Sequence, residues 1–361
     1  MTNNLQMNPI LKQDILELIS KNKDLFADFQ GRTVLISGAT GLVGSYLSKT
    51  FALYNLQFKG NIKILCLIRD YEKAKKIFGP LYNSFSFIQH DIRDSIQVNQ
   101  SIDYIFHTAS VTASDNIIHF PIETLDTLYL GTKNLLELAK QKHAQFLYFS
   151  SMEAYGITDP SLKVIHESDL GYVNLNNVRS IYPEGKRACE LLTSAYAKEY
   201  GMQTYNVRLA QTFGAGTAFN ETRIFADFAH KALKGEPLVI QSTGKTVGNY
   251  VDTRDVVTGA LSILSKGIIG ETYNLANEEL SMTIYDMSKL VSQVLSGGKS
   301  RVIIMNDVNF SKKFPPDTMM RLDSTKLRRI GWAPTGSFEN MLKKMVSSWQ
   351  FNDLGQEIHE D

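Results

Sequence analysis

Apolar positions in this chain fall into two alternating rhythms, short runs of strand length and longer stretches with helical spacing. Near the start, Ile10, Leu11, Ile15, Leu16, Leu18 and Ile19 recur at close to helical intervals with charged residues between them, so residues 1–30 are expected to carry an amphipathic helix. Packing of that helix on its own domain is the plainer expectation, with an oligomer contact or a lid as the alternative. Thr33–Ser37 is a strand-length run, and a helical pattern with Tyr46, Leu47 and Phe51 on its apolar side follows. Further runs predict strands at Ile62–Ile68, Phe85–Ile92, Tyr104–Ser110, Phe146–Phe149 and Thr204–Ala210, with a helix over Thr124–Lys140 and another through Tyr182. Past Gly214 the rhythm loosens. Helices are expected at Ile224–Lys234, Asp255–Ser265 and Phe338–Trp349, and a strand at Pro237–Gln241.

Alternating strands and helices predict a parallel sheet covered on both faces. The fold class expected is α/β, a Rossmann-type doubly wound parallel sheet with a smaller C-terminal α/β region that binds substrate. By residue, 1–30 form an N-terminal helical extension and 31–213 a dinucleotide-binding domain that includes the Tyr182 helix. Residues 214–349 are mainly the substrate-binding region, and 350–361 a loose polar tail.

The junction after the first strand narrows the ligand. Gly38-Ala-Thr-Gly-Leu-Val-Gly44 lies between a strand and a helix, the context a dinucleotide fingerprint requires. One glycine permits the tight turn, one lets backbone approach a pyrophosphate, and one allows close helix–strand packing. The helix opening at Leu42 and Val43 faces the phosphates with free N–H groups. Cofactor contacts are therefore expected at Gly38, Gly41, Leu42, Val43 and Gly44. The second strand ends in Arg69-Asp70, where an acid favours NAD and an arginine the 2′-phosphate of NADP. NAD is expected, and Arg69 keeps NADP open. The insertion over 55–60 leaves the alignment of Asp70 open as well. Asp91, followed by Ile92, is expected to accept from the adenine amino group, or else to cap a helix. Thr108, Ala109 and Ser110 are small enough for a cofactor to lie against their backbone. His107 reads as a structural, hydrogen-bonded histidine.

Composition excludes several classes. Thirty-eight basic and 37 acidic residues give a net charge of +1, so no bulk field points to nucleic acid or an anionic membrane. Two cysteines, Cys66 and Cys189, lack metal-ligand spacing and read as buried thiols, so no metal site is expected. No run reaches the ~18 apolar residues of a membrane span, and no signal segment is evident. A cytoplasmic location follows as the expectation.

The chemistry-bearing stretch is SIYPEGKR, Ser180 to Arg187. Tyr182 and Lys186 are four apart, which stacks them on one helix face. A cation beside a phenol favours phenolate, and a tyrosine so tuned can take a proton from an alcohol and return it. The strand Phe146–Phe149 runs into Ser150-Ser-Met-Glu-Ala-Tyr-Gly156, which places the Ser151 hydroxyl at a sheet edge where open α/β folds bind ligands. Glu153 adds a carboxylate that could act at carbon.

The motifs GATGLVG, HDI, HTAS, SSMEAYG, YPEGK, RLAQTFG, YNLAN and IGWAP together resemble the extended short-chain dehydrogenase/reductases, in particular the NAD-dependent epimerase/dehydratase family of nucleotide-sugar enzymes and its UDP-glucuronate decarboxylase branch. The resemblance runs from about Thr33 to Pro334. It implies that Tyr182, with Ser151 and Lys186, deprotonates the sugar 4-hydroxyl while NAD takes the C4 hydride. The 4-keto sugar then epimerises or loses a C5 carboxylate, and the hydride returns. It implies a nucleotide-sugar substrate, contacts from Arg179, Arg187, Gln211 and Arg223, and a homodimer in which Leu191, Leu192 and Ala195 form part of the seam.

Departures from the family pattern shift the expectation. Met152 stands where dehydratases carry an aspartate, so no acid remains to protonate a departing hydroxyl. Gly248 and Phe314 replace two arginines that grip the diphosphate, Gln211 replaces an asparagine, and Leu128 replaces another. Arg187, Arg223, Lys312, Lys313 and Arg321 are the cations that could compensate. An NADP-dependent 4-keto-sugar reductase and a non-enzymatic dinucleotide sensor are the alternative readings.

Overall fold

A computed structural model describes residues 7–305 and 317–351. Its centre is a seven-stranded, wholly parallel sheet. The elements that build it are α1 (Pro9–Lys21), β1 (Thr33–Ser37), α2 (Leu42–Phe58), β2 (Lys63–Ile68), α3 (Tyr71–Phe78), β3 (Ser86–Gln89), β4 (Tyr104–His107), α4 (Ser114–His119), α5 (Pro121–Lys142), β5 (Gln145–Ser151), α6 (Ile181–Tyr200), β6 (Thr204–Leu209), β7 (Gln211–Phe213), α7 (Ile224–Leu233), β8 (Leu238–Ile240), β9 (Val247–Asp252), α8 (Thr253–Lys266) and β10 (Thr272–Leu275). They are followed by β11 (Asn277–Thr283), α9 (Ile284–Ser296), β12 (Val302–Ile304) and a closing helix Phe338–Trp349. Strand order is β10-β6-β5-β4-β1-β2-β3. Winding reverses between β1 and β4, which opens a crevice at their carboxyl ends.

The strands are apolar on both sides because both faces are covered. One face packs on α2 and α8, with α1 laid over those helices, and the other on α5 and α6. A separate cluster around Phe213, Phe225, Tyr250 and Phe338 holds the C-terminal elements and the small sheet β11-β9-β7. The chain does not divide cleanly at Gly214, since β10 returns to the edge of the large sheet and α8 covers its face. Parallel pairing of β10 on β6 needs a long crossover, and the intervening C-terminal elements supply it.

The N-terminal helix packs on its own chain. Leu11, Ile15, Leu18 and Ile19 are buried against α2, α8 and the closing helix. Asp14 is buried with them and accepts from Tyr46 Oη at 2.7 Å, with Arg254 Nε at 3.3 Å and Lys344 completing the cage. The insertion at 55–60 is absorbed by a longer α2, which stops at Lys59 in the left-handed region. Asn55 then ties back to both backbone groups of Ile62.

His107 is structural, as expected. Its Nδ1 lies 2.8 Å from Ser37 Oγ and its Nε2 3.0 Å from Thr132 Oγ1. Burial, reinforced by the charge of Lys186, pushes its pKa down to about 3. An unfolded histidine titrates near ~6.5, so between the two values the unfolded chain holds the extra proton. The histidine's destabilisation is absent above about pH 6.5 and grows as pH falls toward the folded value. His107→Gln is expected to flatten this fall, so that urea midpoints at about pH 7 and about pH 5 differ less than in the parent. Equal falls in both proteins would place the acid sensitivity elsewhere.

Candidate active site

The glycine turn fits a dinucleotide. Gly38 has φ +65°, and a Cβ there would meet the Ala109 backbone at 2.6 Å. A Cβ on Gly44 would meet the Gly38 carbonyl oxygen at 2.4 Å, so this is the glycine of close helix–strand packing. Gly41 has only the Gly38 oxygen nearby, at 3.3 Å, and its outer side is open to an approaching pyrophosphate. It is also the N-cap of α2 and gives no side-chain cap, so the first-turn N–H groups at Leu42 and Val43 are left for an anion.

Around this cradle the predicted cofactor residues divide. Thr108 Oγ1 donates to the Ser37 carbonyl at 2.6 Å, and Ala109 N donates to Ser37 Oγ at 3.3 Å, which binds the carboxyl ends of β1 and β4 together. Arg69 is exposed at the end of β2, and Asp70 caps α3 by accepting from the amides of Glu72 and Lys73. Asp91 lies beyond the end of β3, two residues later than the observed strand. Hydrogen bonds and the charge of Arg93 hold its pKa down at about 2. Ile92 turns inward: its Cδ1 is 2.5 Å from where a Gly131 Cβ would stand, and its carbonyl accepts from Asn134 at 2.9 Å. The Ile92 side chain therefore packs in the core against α5.

Tyr182, Lys186, Ser151 and Ser110 converge in the crevice. Both serine hydroxyls stand near enough to the Tyr182 phenol to favour its ionised form. Ser151 Oγ also accepts from Glu153 N at 3.2 Å, which turns Met152–Tyr155 into a 3-10 helix at the strand end. The expected lowering of the phenol's pKa is outweighed by burial. Lys186 Nζ donates to the Phe149 carbonyl at 2.7 Å and lies 5.7 Å from the Tyr182 ring centre. Burial, and then the Glu153 charge, push the phenol up to about 12. Burial drives Lys186 down to about 8.

Glu153 is engaged by Arg179, whose Nη1 and Nη2 donate to its two carboxylate oxygens at 2.7 and 3.3 Å. Arg187 does not point to a ligand. Its Nε and Nη2 donate to the carbonyls of Ala154, Tyr155 and Gly171, and its Nη1 pairs with Glu184 at 3.1 Å. It staples the loops beside the crevice to α6. Arg223 pairs with Glu221 at 2.8 Å and lies over the Phe225 ring. Gln211 starts β7 with its Oε1 buried and unpaired. A Cβ on Gly248 would lie 3.2 Å from Tyr250 Oη, so a phenol occupies the flank of that position. Arg321 is exposed, while Lys312, Lys313 and Phe314 lie outside the described residues. Leu128 is buried beside Gly185, where α5 and α6 approach closely.

Sequence reasoning missed the support behind the site. Glu190, one turn past Lys186 on α6, accepts from Arg208 Nη2 at 2.7 Å and from Nε at 3.0 and 3.1 Å. It also accepts from Ser150 Oγ, next to Ser151. An arginine inside the apolar strand Thr204–Leu209 was the available signal, because a buried cation needs a buried partner. Among the described residues no group of three or more His, Cys, Asp or Glu side chains is placed to hold a metal. Among the same residues no helix is long and apolar enough to cross a membrane.

Comparison with known proteins agrees with this geometry. The model of the NAD dependent epimerase/dehydratase family matches residues 34–276. UDP-glucuronic acid decarboxylase 1 of Danio rerio is 29% identical over 318 residues, covering 87% of this chain and 72% of the relative. An epimerase from Methanothermobacter thermautotrophicus superposes with a TM-score of 0.75 at 23% identity, over 92% of this chain and 95% of that one. A dTDP-glucose 4,6-dehydratase from Streptomyces venezuelae, solved with NAD bound, superposes with a TM-score of 0.71 at 21% identity, over 88% and 97%. The chain belongs to the NAD-dependent epimerase/dehydratase family, a family of nucleotide-sugar enzymes whose cofactor is NAD.

Proposed function

We propose that this enzyme oxidises C4 of a nucleotide-linked sugar, changes the neighbouring C5 position while the ketone is present, and then restores the alcohol. The observation that carries the reading is the constellation of Ser151, Tyr182 and Lys186 with the Glu153 carboxylate near enough to act on the phenol and a buried Met152 between Ser151 and Glu153 in the chain. Bound NAD supplies the hydride acceptor and gives the hydride back. Tyr182 takes the hydroxyl proton as C4 is oxidised and returns it at the end, with Ser110 and Ser151 stabilising the phenolate by hydrogen bonds. Burial keeps water from competing for the phenolate oxygen.

A ketone at C4 makes a C5 carboxylate a β-keto acid. The C5–C6 bond breaks, its electrons pass into the C4 carbonyl as an enolate, carbon dioxide leaves, and C5 then takes a proton. Dehydration would need an acid for the departing hydroxyl, and Met152 offers none. A nucleotide-linked uronic acid is therefore the favoured substrate, in keeping with the names of the curated relatives. Gln211 and Arg223 would bind it from the region beyond β6. The expected homodimer would use Leu191, Leu192 and Ala195 of α6, of which Leu191 and Ala195 are exposed and Leu192 half-buried, beside the exposed Tyr129 and Leu130 of α5.

The test incubates the purified protein with NAD and a panel of UDP-, GDP-, CDP- and dTDP-sugars that includes uronic acids, with products read by mass and NMR. Loss of one carbon dioxide from a uronic acid without consumption of added cofactor is the expected result. No turnover of any nucleotide sugar would refute the reading, and stoichiometric use of NADPH would favour the reductase.

A further inference from the structure

Two opposite charges, Glu153 and Arg179, stand together at the crevice, and the reaction above assigns no step to either. Arg179 lies two residues before the catalytic helix, in the short 3-10 segment Val178–Ser180 fixed by the Asn177 side chain. Its guanidinium is bidentate on Glu153, and both side chains keep about a third of their surface, 32% and 39%, open. The fork-to-fork geometry fixes the carboxylate's orientation as well as its charge.

We propose that Arg179 is a positioning residue, which holds Glu153 as the anionic half of an ion pair and offsets part of the effect of that charge on the Tyr182 base. The proposal rests on the two-step reaction above. A phenol base and a carboxylate in one crevice are in conflict, since an anion near a phenol opposes its ionisation. Glu153 pushes Tyr182 upward and Arg179 pushes it back. The other titratable groups facing the phenol are Lys186 on α6, whose Nζ is committed to Phe149, and Tyr148 on β5. Among the described residues, Arg179 is thus the cation in direct contact with Glu153.

The test is a double-mutant cycle of Arg179→Gln, Glu153→Gln and the pair, with Arg179→Lys as the conservative variant. Two readouts are taken: the pre-steady-state rate at which bound NAD is reduced, followed by absorbance, and the overall kcat and KM. In Arg179→Gln the reduction rate is expected to fall at least tenfold near neutral pH. Its rising pH limb should move to higher pH, because a phenol facing an uncompensated anion ionises later. Restoring neutrality in the double variant is expected to bring the reduction rate back within about threefold of the parent while overall kcat stays low. Arg179→Lys is expected to recover part of the rate. Equal losses from Arg179→Gln in both backgrounds, or a raised KM with unchanged kcat, would overturn the proposal and place Arg179 on the substrate. Absence of turnover in the parent protein would instead refute the assigned reaction, so the two failures are distinct.

Discussion

Tyr182→Phe is expected to lower kcat by about 10²–10⁴-fold, the usual worth of a positioned acid–base group. The change removes one oxygen and leaves a ring of nearly the same shape in a buried site. Ser110 and Ser151 lose a partner, but both remain at the crevice edge, where ligand or water can reach them. The glycine cradle is untouched, so NAD should still raise the melting temperature of the variant, because a ligand that binds only the folded state stabilises it. Kinetics on the turned-over nucleotide sugar and a thermal shift with NAD are the two measurements. A rate within about tenfold of the parent would remove Tyr182 from the chemistry. A lost thermal shift would mean that the phenol serves cofactor binding instead.

The second large effect falls on stability. Arg208→Ala is expected to destabilise the protein by about 3–5 kcal/mol, because it leaves a buried carboxylate without its partner. The Arg208 and Glu190 side chains are 4% and 8% exposed, so neither can turn to water. Arg208 also donates to the Glu167 carbonyl at 2.7 Å and lies over the Tyr155 ring at 4.6 Å, which ties the loop before α6 to the sheet. Replacing both charges, as in Arg208→Met with Glu190→Leu, should cost much less, since no orphaned ion remains. Urea unfolding of the three proteins separates the cases, and a loss below about 1 kcal/mol for Arg208→Ala would show that water or another cation reaches Glu190.

Much of this architecture was legible because its signals are local. Thr33–Ser37 reads as a strand from five consecutive residues, and the structure places it there with every residue buried. The closing helix Phe338–Trp349 was legible from amphipathic spacing alone, with the same ends. The third strand was overextended across the polar run Gln89-His-Asp to the next apolar residue, Ile92, whereas pairing with β2 stops at Gln89. Periodicity records burial, and Ile92 is buried by α5 rather than by a strand partner. Arg187 was misread for a related reason. A cation on a catalytic helix looks available in one dimension, while its carbonyl partners Ala154, Tyr155 and Gly171 are 16 to 33 positions away.

The amino-acid order by itself determined the alternation of strands and helices, the glycine turn, and the four-residue spacing that puts Tyr182 and Lys186 on one face. These rest on backbone sterics and helical periodicity, which act over a few residues. The state of the Tyr182–Lys186 pair was decided only by tertiary structure. Lys186 is drawn to the Phe149 carbonyl across the helix–strand seam, burial shifts the phenol and the ammonium in opposite directions, and the cation that answers Glu153 is Arg179. Electrostatic effects depend on desolvation and on distances between residues remote in sequence, and those quantities exist only once the chain is packed.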